Sequence, residues 1–116
     1  MAIAWKTRRF TVAEYHRMGE TGILGEDDRV ELLDGEIVEM SPIGPAHASI
    51  VGRLTQVFSR LAGERGLVWV QNPIDLAAAD SEPQPDVVLL KPRADFYVTA
   101  HPAPADVLLL VEVMDT

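Results

Sequence analysis

The sequence contains no cysteine, which excludes a disulfide framework and a thiolate metal site and suits a reducing compartment. No apolar run exceeds five residues, the length of Val107 to Val111, whereas a membrane-spanning helix needs about 20. Met1 to Trp5 is too short for the apolar core of a signal peptide. We therefore expect a cytoplasmic protein with no membrane association.

Basic residues are also scarce, since 10 Lys and Arg face 18 Asp and Glu, giving a net charge of −8. This balance argues against a protein that coats nucleic acid, because such binding relies on Lys and Arg neutralising phosphates. It does not exclude an enzyme that meets phosphates through a bound metal, and it also suits a protein kept soluble by self-repulsion. Glycine-rich phosphate loops, serine-hydrolase elbows and zinc-protease helices are missing as motifs.

At 116 residues the chain is long enough for one domain, residues 1–116, and its clearest local element is a β-hairpin over Arg29 to Met40. Asp34-Gly35 is typical of a two-residue type I′ turn between strands. The resulting register pairs Leu33 with Glu36, Leu32 with Ile37, and Glu31 with Val38. Glutamates of such a hairpin are commonly solvated, as we expect for Glu36 and Glu39, and the local pattern leaves Glu31 open between solvation and a functional role.

Two helices are predicted. Thr11 and Glu14 form a capping-box pattern before a short helix from Val12 to about Gly19. A long amphipathic helix covers Ala46 to Ala62, ends at Gly63 or Gly66, and packs on a sheet. His47 falls in its first turn on the buried side. This histidine is either a core or capping residue or part of a site.

The remaining elements are predicted strands, bounded by prolines and polar loops. They are Leu67 to Gln71, Ile74 to Ala78, Pro85 to Leu90, and Leu108 to Val113. The last two are short Val- and Leu-rich runs of the kind buried on both faces, as in parallel sheets. Both predicted helices precede these strands, and the long one is expected to pack on the sheet that they form.

Each of the last two strands contains one carboxylate, Asp86 and Glu112. A carboxylate removed from water must be paired, bind a metal or shift its pKa, and neither run supplies Lys, Arg or His. Two such carboxylates on adjacent strands therefore predict half of a divalent-metal site. Without a His or Cys cluster, carboxylate oxygens favour Mg²⁺ or Mn²⁺ over zinc, and either ion suits phosphodiester hydrolysis. On spacing alone this is one metal-enzyme hypothesis among several.

The order of these segments resembles the bacterial Uma-two family, which is similar to restriction endonucleases of the PD-(D/E)XK superfamily. The resemblance covers nearly the whole chain and is carried by residues 29–42, His47, Pro85-Asp86-Val87-Val88 and Val111-Glu112-Val113. It implies an α/β, restriction-endonuclease-like fold, with a mixed sheet, an N-terminal β-hairpin and one long helix. It further implies that Asp86, Glu112 and Glu31 hold Mg²⁺ or Mn²⁺, that His47 joins them as a catalytic residue, and that DNA is the substrate.

Two departures from that family bear on activity. Met114 stands where the superfamily's simplest pattern has Lys, which removes a group that activates water or stabilises negative charge. Thr116 comes before the expected C-terminal helix and strand, so we expect an incomplete domain. The exposed apolar surface then predicts a homodimer. The alternative to a nuclease is an inactive or truncated nuclease-like module that acts through dimerisation or partner binding.

Overall fold

The computed structural model describes residues 3–114, which fold as two helices and five short strands. The helices are α1 (Val12–Glu20) and α2 (Pro45–Ala62). The strands are β1 (Val30–Leu33), β2 (Glu36–Glu39), β3 (Leu67–Val70), β4 (Val87–Leu90) and β5 (Val107–Val111). The α/β class, the N-terminal hairpin and the single long helix are thereby confirmed. The expected early end of the domain at Thr116 lies outside the described residues. Within residues 3–114, no helix is long and apolar enough to cross a membrane.

The hairpin has the predicted register, with Glu31 opposite Val38 and Leu33 opposite Glu36. Asp34 and Gly35 have φ angles of 49° and 77°, the left-handed values that a type I′ turn requires. Gly35 is needed for a second reason, because a Cβ there would lie 2.7 Å from the Cβ of Arg9. The turn is thus packed beneath the chain that leads into α1.

Both helices begin where the sequence indicates. Thr11 and Glu14 form the complete capping box of α1, although this helix buries none of its residues. Pro45 is the first residue of α2, and the helix ends at Ala62 with Gly63 as its cap. Helix α2 packs on β3 and β4, with Val51 buried.

The strands β3, β4 and β5 form one sheet in that order, antiparallel throughout. The expectation of parallel-type strands is therefore wrong in direction, because a short apolar run carries no signal of its neighbour's orientation. Burial on both faces holds for the central strand β4 alone. In β5, an edge strand within residues 3–114, three leucines remain 44–50% exposed: Leu108, Leu109 and Leu110.

The strand predicted over Ile74 to Ala78 is also wrong. The hydrogen bond from the N–H of Ala77 to Asp75 Oδ1 (2.8 Å) begins a tight turn, and Ala77–Ala79 form a single 3₁₀ turn. Asp80 then takes a left-handed conformation (φ 49°) that ends it. Ile74 nevertheless joins the hydrophobic core, which consists of Ile74, Val88, Leu90 and Tyr97 with Leu67, Trp69, Leu76 and Val107 around them.

Candidate active site

Three side chains meet at one end of the antiparallel sheet. Val70 pairs with Val87, and Val87 pairs with Val111. Continuing each register by one residue puts Gln71 opposite Asp86 and Asp86 opposite Glu112. Directly opposed residues of antiparallel strands project to the same face, so the sheet itself brings the predicted carboxylates Asp86 and Glu112 together.

Asp86 is the most firmly held of these residues. Its Oδ2 accepts a hydrogen bond from the N–H of Val113 (2.8 Å). Its Oδ1 accepts from His47 Nε2 (2.9 Å) and from Gln71 Nε2 (3.4 Å). Burial acts to raise the pKa of Asp86, but these three donors outweigh it and the pKa is lowered. Asp86 is therefore kept ionised although it is buried.

Glu112 has the opposite electrostatic environment. Its Oε1 accepts from the N–H of Asp86 (3.3 Å). Desolvation raises the pKa of Glu112, and the negative charges of Asp86 and Glu31 raise it further. The raised pKa reflects desolvation first and the nearby carboxylates of Asp86 and Glu31 second.

Glu31 is brought to the same place by the segment that precedes β4. In Glu82-Pro83-Gln84-Pro85-Asp86 the two prolines have no N–H, so three donors remain. The N–H of Glu82 bonds to the carbonyl of Leu32 (2.8 Å), that of Gln84 to Glu31 Oε2 (2.9 Å), and that of Asp86 to Glu112 Oε1 (3.3 Å). The segment thus ties β1 to the sheet and positions two carboxylates. Glu31 belongs to the cluster and is not one of the solvated hairpin glutamates.

His47 approaches from the first turn of α2, as predicted, and its side chain is 13% exposed. Its Nε2 contacts Asp86 Oδ1. The sequence left open whether His47 is a core residue or part of a site, and in the structure it is both packed inward and bonded to the carboxylates. Within residues 3–114, no Lys or Arg forms an ion pair with Glu31, Asp86 or Glu112.

These four residues line one cavity of about 250 Å³, which we call the carboxylate cavity. Its wall also contains Arg29, Gln71 and Gln84, which the sequence did not single out. Gln84 was open to inference, because it lies two residues before Asp86 in an extended, proline-flanked segment. Gln71 was not, because its position depends on a left-handed turn (φ 52°) after β3 that no local residue pattern indicates.

The donor chemistry of the carboxylate cavity suits Mg²⁺ or Mn²⁺. As the side chains stand, no three His, Asp or Glu residues among 3–114 surround a single point as metal ligands. Mg²⁺ does not require such a cage, because it usually keeps several waters and binds one or two carboxylates. Asp86 and Glu112 supply such a pair, and the raised pKa of Glu112 marks an excess of negative charge.

A second histidine and carboxylate cluster lies elsewhere in the chain and was missed by the sequence analysis. Glu82 is 6% exposed, and its Oε1 accepts a hydrogen bond from His16 Nε2 of α1 (2.6 Å). His101 Nε2 lies 3.8 Å from the same oxygen. These residues, which we call the Glu82 cluster, border a separate cavity of about 410 Å³ together with Asp75, Tyr97 and Thr99.

Comparison with known proteins is consistent with this geometry. The chain has no significant match among curated proteins or among solved structures. A family model does match residues 12–116, which include the hairpin, α2, Asp86 directly before β4 and Glu112 directly after β5. The chain therefore belongs to the Uma2 family, whose description is "Putative restriction endonuclease".

Proposed function

We propose that this chain is an endonuclease that hydrolyses phosphodiester bonds of DNA with the help of Mg²⁺ or Mn²⁺. The observation that carries the proposal is the carboxylate cavity, where Glu31, Asp86 and Glu112 converge and the pKa of Glu112 is raised by burial and by the other two charges. Membership of the Uma2 family supports the nuclease class. A DNA substrate also suits the cytoplasmic location expected from the sequence.

Asp86 and Glu112 are the residues that would hold the ion, with Glu31 beside them. When bound, such an ion supplies a Lewis acid for a phosphoryl oxygen and lowers the pKa of a bound water. The contributions of the chain itself are positional. The N–H groups of Asp86 and Val113 orient the carboxylates, and His47 fixes Asp86 from α2. With this support the carboxylates keep their places despite their mutual repulsion.

The acidic character of the protein makes the cation more important. At a net charge of −8 the chain repels a phosphate backbone, and several carboxylates line the cavity. A divalent ion offsets two of these negative charges and offers a phosphate a cation to bind, so cleavage and DNA affinity should both depend on it. Arg29 is the basic side chain that lines the cavity, and it is placed to contact a phosphate.

Nicking of supercoiled plasmid tests the proposal. Three variants of the chain are compared with the parent in Mg²⁺ and in Mn²⁺: Asp86→Asn, Glu112→Gln and the control Glu36→Gln. Glu36 is an exposed glutamate of the same hairpin and does not line the cavity. We expect the first two to lose about 100-fold or more in rate, the range seen when charge stabilisation at a reacting centre is removed. If the parent and all three variants behave alike, the nuclease assignment is wrong.

The second candidate is a nuclease-like module that acts without catalysis, through a homodimer. The observation in its favour is β5, an edge strand of the described sheet whose Leu108, Leu109 and Leu110 are about half exposed. An open edge with apolar side chains is a template for pairing with a second copy. Light scattering after size exclusion at low micromolar concentration should give twice 12.7 kDa, and Leu109→Lys should halve it. A stable monomer of the parent would remove this candidate.

A further inference from the structure

Gln71 occupies a backbone position that its side chain does not favour. Its φ of 52° is left-handed, which costs a residue with a Cβ about 1 kcal/mol. Its N–H is shared between the carbonyls of Pro85 (3.0 Å) and Asp86 (3.2 Å), which ties the turn after β3 to the segment that leads into β4. Glycine would form this turn with less strain. The turn therefore provides no reason for glutamine at this position, and the reason must lie in the side chain.

The side chain of Gln71 enters the carboxylate cavity and donates through Nε2 to Asp86 Oδ1 (3.4 Å). The orientation of the amide follows from chemistry, because an ionised carboxylate only accepts hydrogen bonds. His47 Nε2 contacts the same oxygen, and the N–H of Val113 bonds to Oδ2. The Asp86 carboxylate is thus held from three directions, by α2, by the turn after β3 and by the end of β5.

We propose that Gln71 is a positioning residue for Asp86, which keeps the carboxylate plane fixed for a divalent cation in the carboxylate cavity. The proposal rests on the function proposed above and deepens it. Gln71 itself touches neither the cation nor the substrate. Partners that orient a metal ligand in this way commonly contribute 10- to 100-fold to metal affinity or activity. At 3.4 Å the bond is long, so we expect an effect of about 10-fold, the lower end of that range.

Gln71→Gly separates the side chain from the turn. The glycine keeps the left-handed backbone and relieves its strain, so the variant should unfold at a temperature equal to or above that of the parent. Its Mn²⁺ dissociation constant, measured by isothermal titration calorimetry, should rise about 10-fold. In plasmid nicking, the Mn²⁺ concentration for half-maximal rate should rise by the same factor, and saturating Mn²⁺ should restore most of the rate. The neighbouring Asn72→Ala, at an exposed amide, is the matched control.

The outcomes distinguish the two proposals. If Asp86→Asn loses Mn²⁺ binding and Gln71→Gly binds within twofold of the parent, Gln71 has only a backbone role and this inference is overturned. If the parent and Asp86→Asn bind Mn²⁺ alike, the metal site itself is wrong, and the inference falls with it. A parallel loss of binding and thermal stability in Gln71→Gly would also overturn it, because that result indicates a structural role.

Discussion

The two histidine and carboxylate clusters of this chain use the same chemical groups with opposite charge balances. At Glu82 one buried carboxylate faces two imidazoles, His16 and His101, whose side chains are 48% and 42% exposed. In the carboxylate cavity the single imidazole of His47 shares the wall with four carboxylates, those of Glu31, Asp86, Glu112 and the exposed Glu39, and the Asp86 and His47 side chains are 12% and 13% exposed. The first cluster offers its carboxylate two imidazole nitrogens. The second has more carboxylates than basic side chains.

Under the proposed function, this difference separates a structural cluster from a functional one. Helix α1 buries no residue of its own, and the contact between His16 and Glu82 is among the few that attach it to the body of the protein, together with a bond from the hydroxyl of Tyr15 to the carbonyl of Val30 (3.3 Å). A buried charge with partners on hand needs no external ion. The carboxylate cavity has more carboxylates than basic side chains, and Glu112, an exposed member of it, has a pKa raised by desolvation and by Asp86 and Glu31. The proposed function assigns this surplus to a divalent cation.

The largest stability effect should come from the Glu82 cluster. Glu82→Ala should lower the free energy of unfolding by about 2 kcal/mol, because it removes a hydrogen bond between potentially charged groups and leaves a gap. Glu82→Gln should lose less, since it keeps the packing and one polar partner. Urea denaturation measures both, with Glu20→Ala on the exposed face of α1 as the control. A loss below about 0.5 kcal/mol, the range of ordinary surface changes, would show that the cluster does not hold α1.

A divalent cation should stabilise the other cluster alone. At a Mn²⁺ concentration ten times its dissociation constant, a ligand that binds only the folded chain adds about 1.4 kcal/mol. We expect this increase in the parent and in Glu82→Gln, and its loss in Asp86→Asn. Thermal unfolding with and without Mn²⁺ provides the measurement. An equal shift in all three proteins would mean that the ion binds elsewhere, and the proposed difference between the two clusters in cation binding would be wrong.

The smallest effect concerns the charge surplus without any ion. The raised pKa of Glu112 means that the folded chain favours its protonated form. That contribution to stability is complete below the ordinary pKa of 4.5 and is lost as pH rises through the folded value. Glu112→Gln should therefore raise the free energy of unfolding at pH 7, by no more than about 1 kcal/mol because the group is exposed to solvent, and should change it little at pH 4.

Asp86 should affect the pH dependence of stability in the opposite direction to Glu112. Its pKa is lowered in the folded chain, so its contribution is present above the ordinary value of 3.8 and is lost as pH falls through the folded value. Asp86→Asn should destabilise the cation-free protein at pH 7, where Glu112→Gln stabilises it. If both substitutions shift the midpoint in the same direction, the electrostatic description of the carboxylate cavity is wrong.

The sequence predicted those features that local chemistry determines. Asp34-Gly35 set the register of the hairpin, and Thr11 and Pro45 marked the starts of the two helices. The isolated carboxylates Asp86 and Glu112 pointed to one site because a carboxylate in an apolar strand needs a partner that the strand does not supply. Their roles in metal binding and catalysis, with those of Glu31 and His47, stay predictions.

Features that depend on distant segments were not accessible from local patterns. The Glu82 cluster joins residues from α1, the segment before β4 and the loop before β5, and each of them looks like an ordinary polar residue in isolation. The antiparallel direction of β3 to β5 depends on which strands become neighbours. The exposure of Leu108 to Leu110 depends equally on what covers the sheet. In each case the missing information is tertiary.

The alternating prolines of residues 82–86 allow only one alignment of the hairpin against the sheet. If this segment slid by one residue against β1, a proline nitrogen would face Glu31 and the carboxylate would lose its donor. If it slid by two, Glu82 or Asp86 would take the place of neutral Gln84 and bring a like charge beside Glu31. In the first case Glu31 lacks a hydrogen-bond donor, and in the second it faces a like charge, so both alignments are unfavourable. Residues 82–86 thus set the distance between the Glu82 cluster and the carboxylate cavity. A shift of this segment by one residue would break the hydrogen bonds of both.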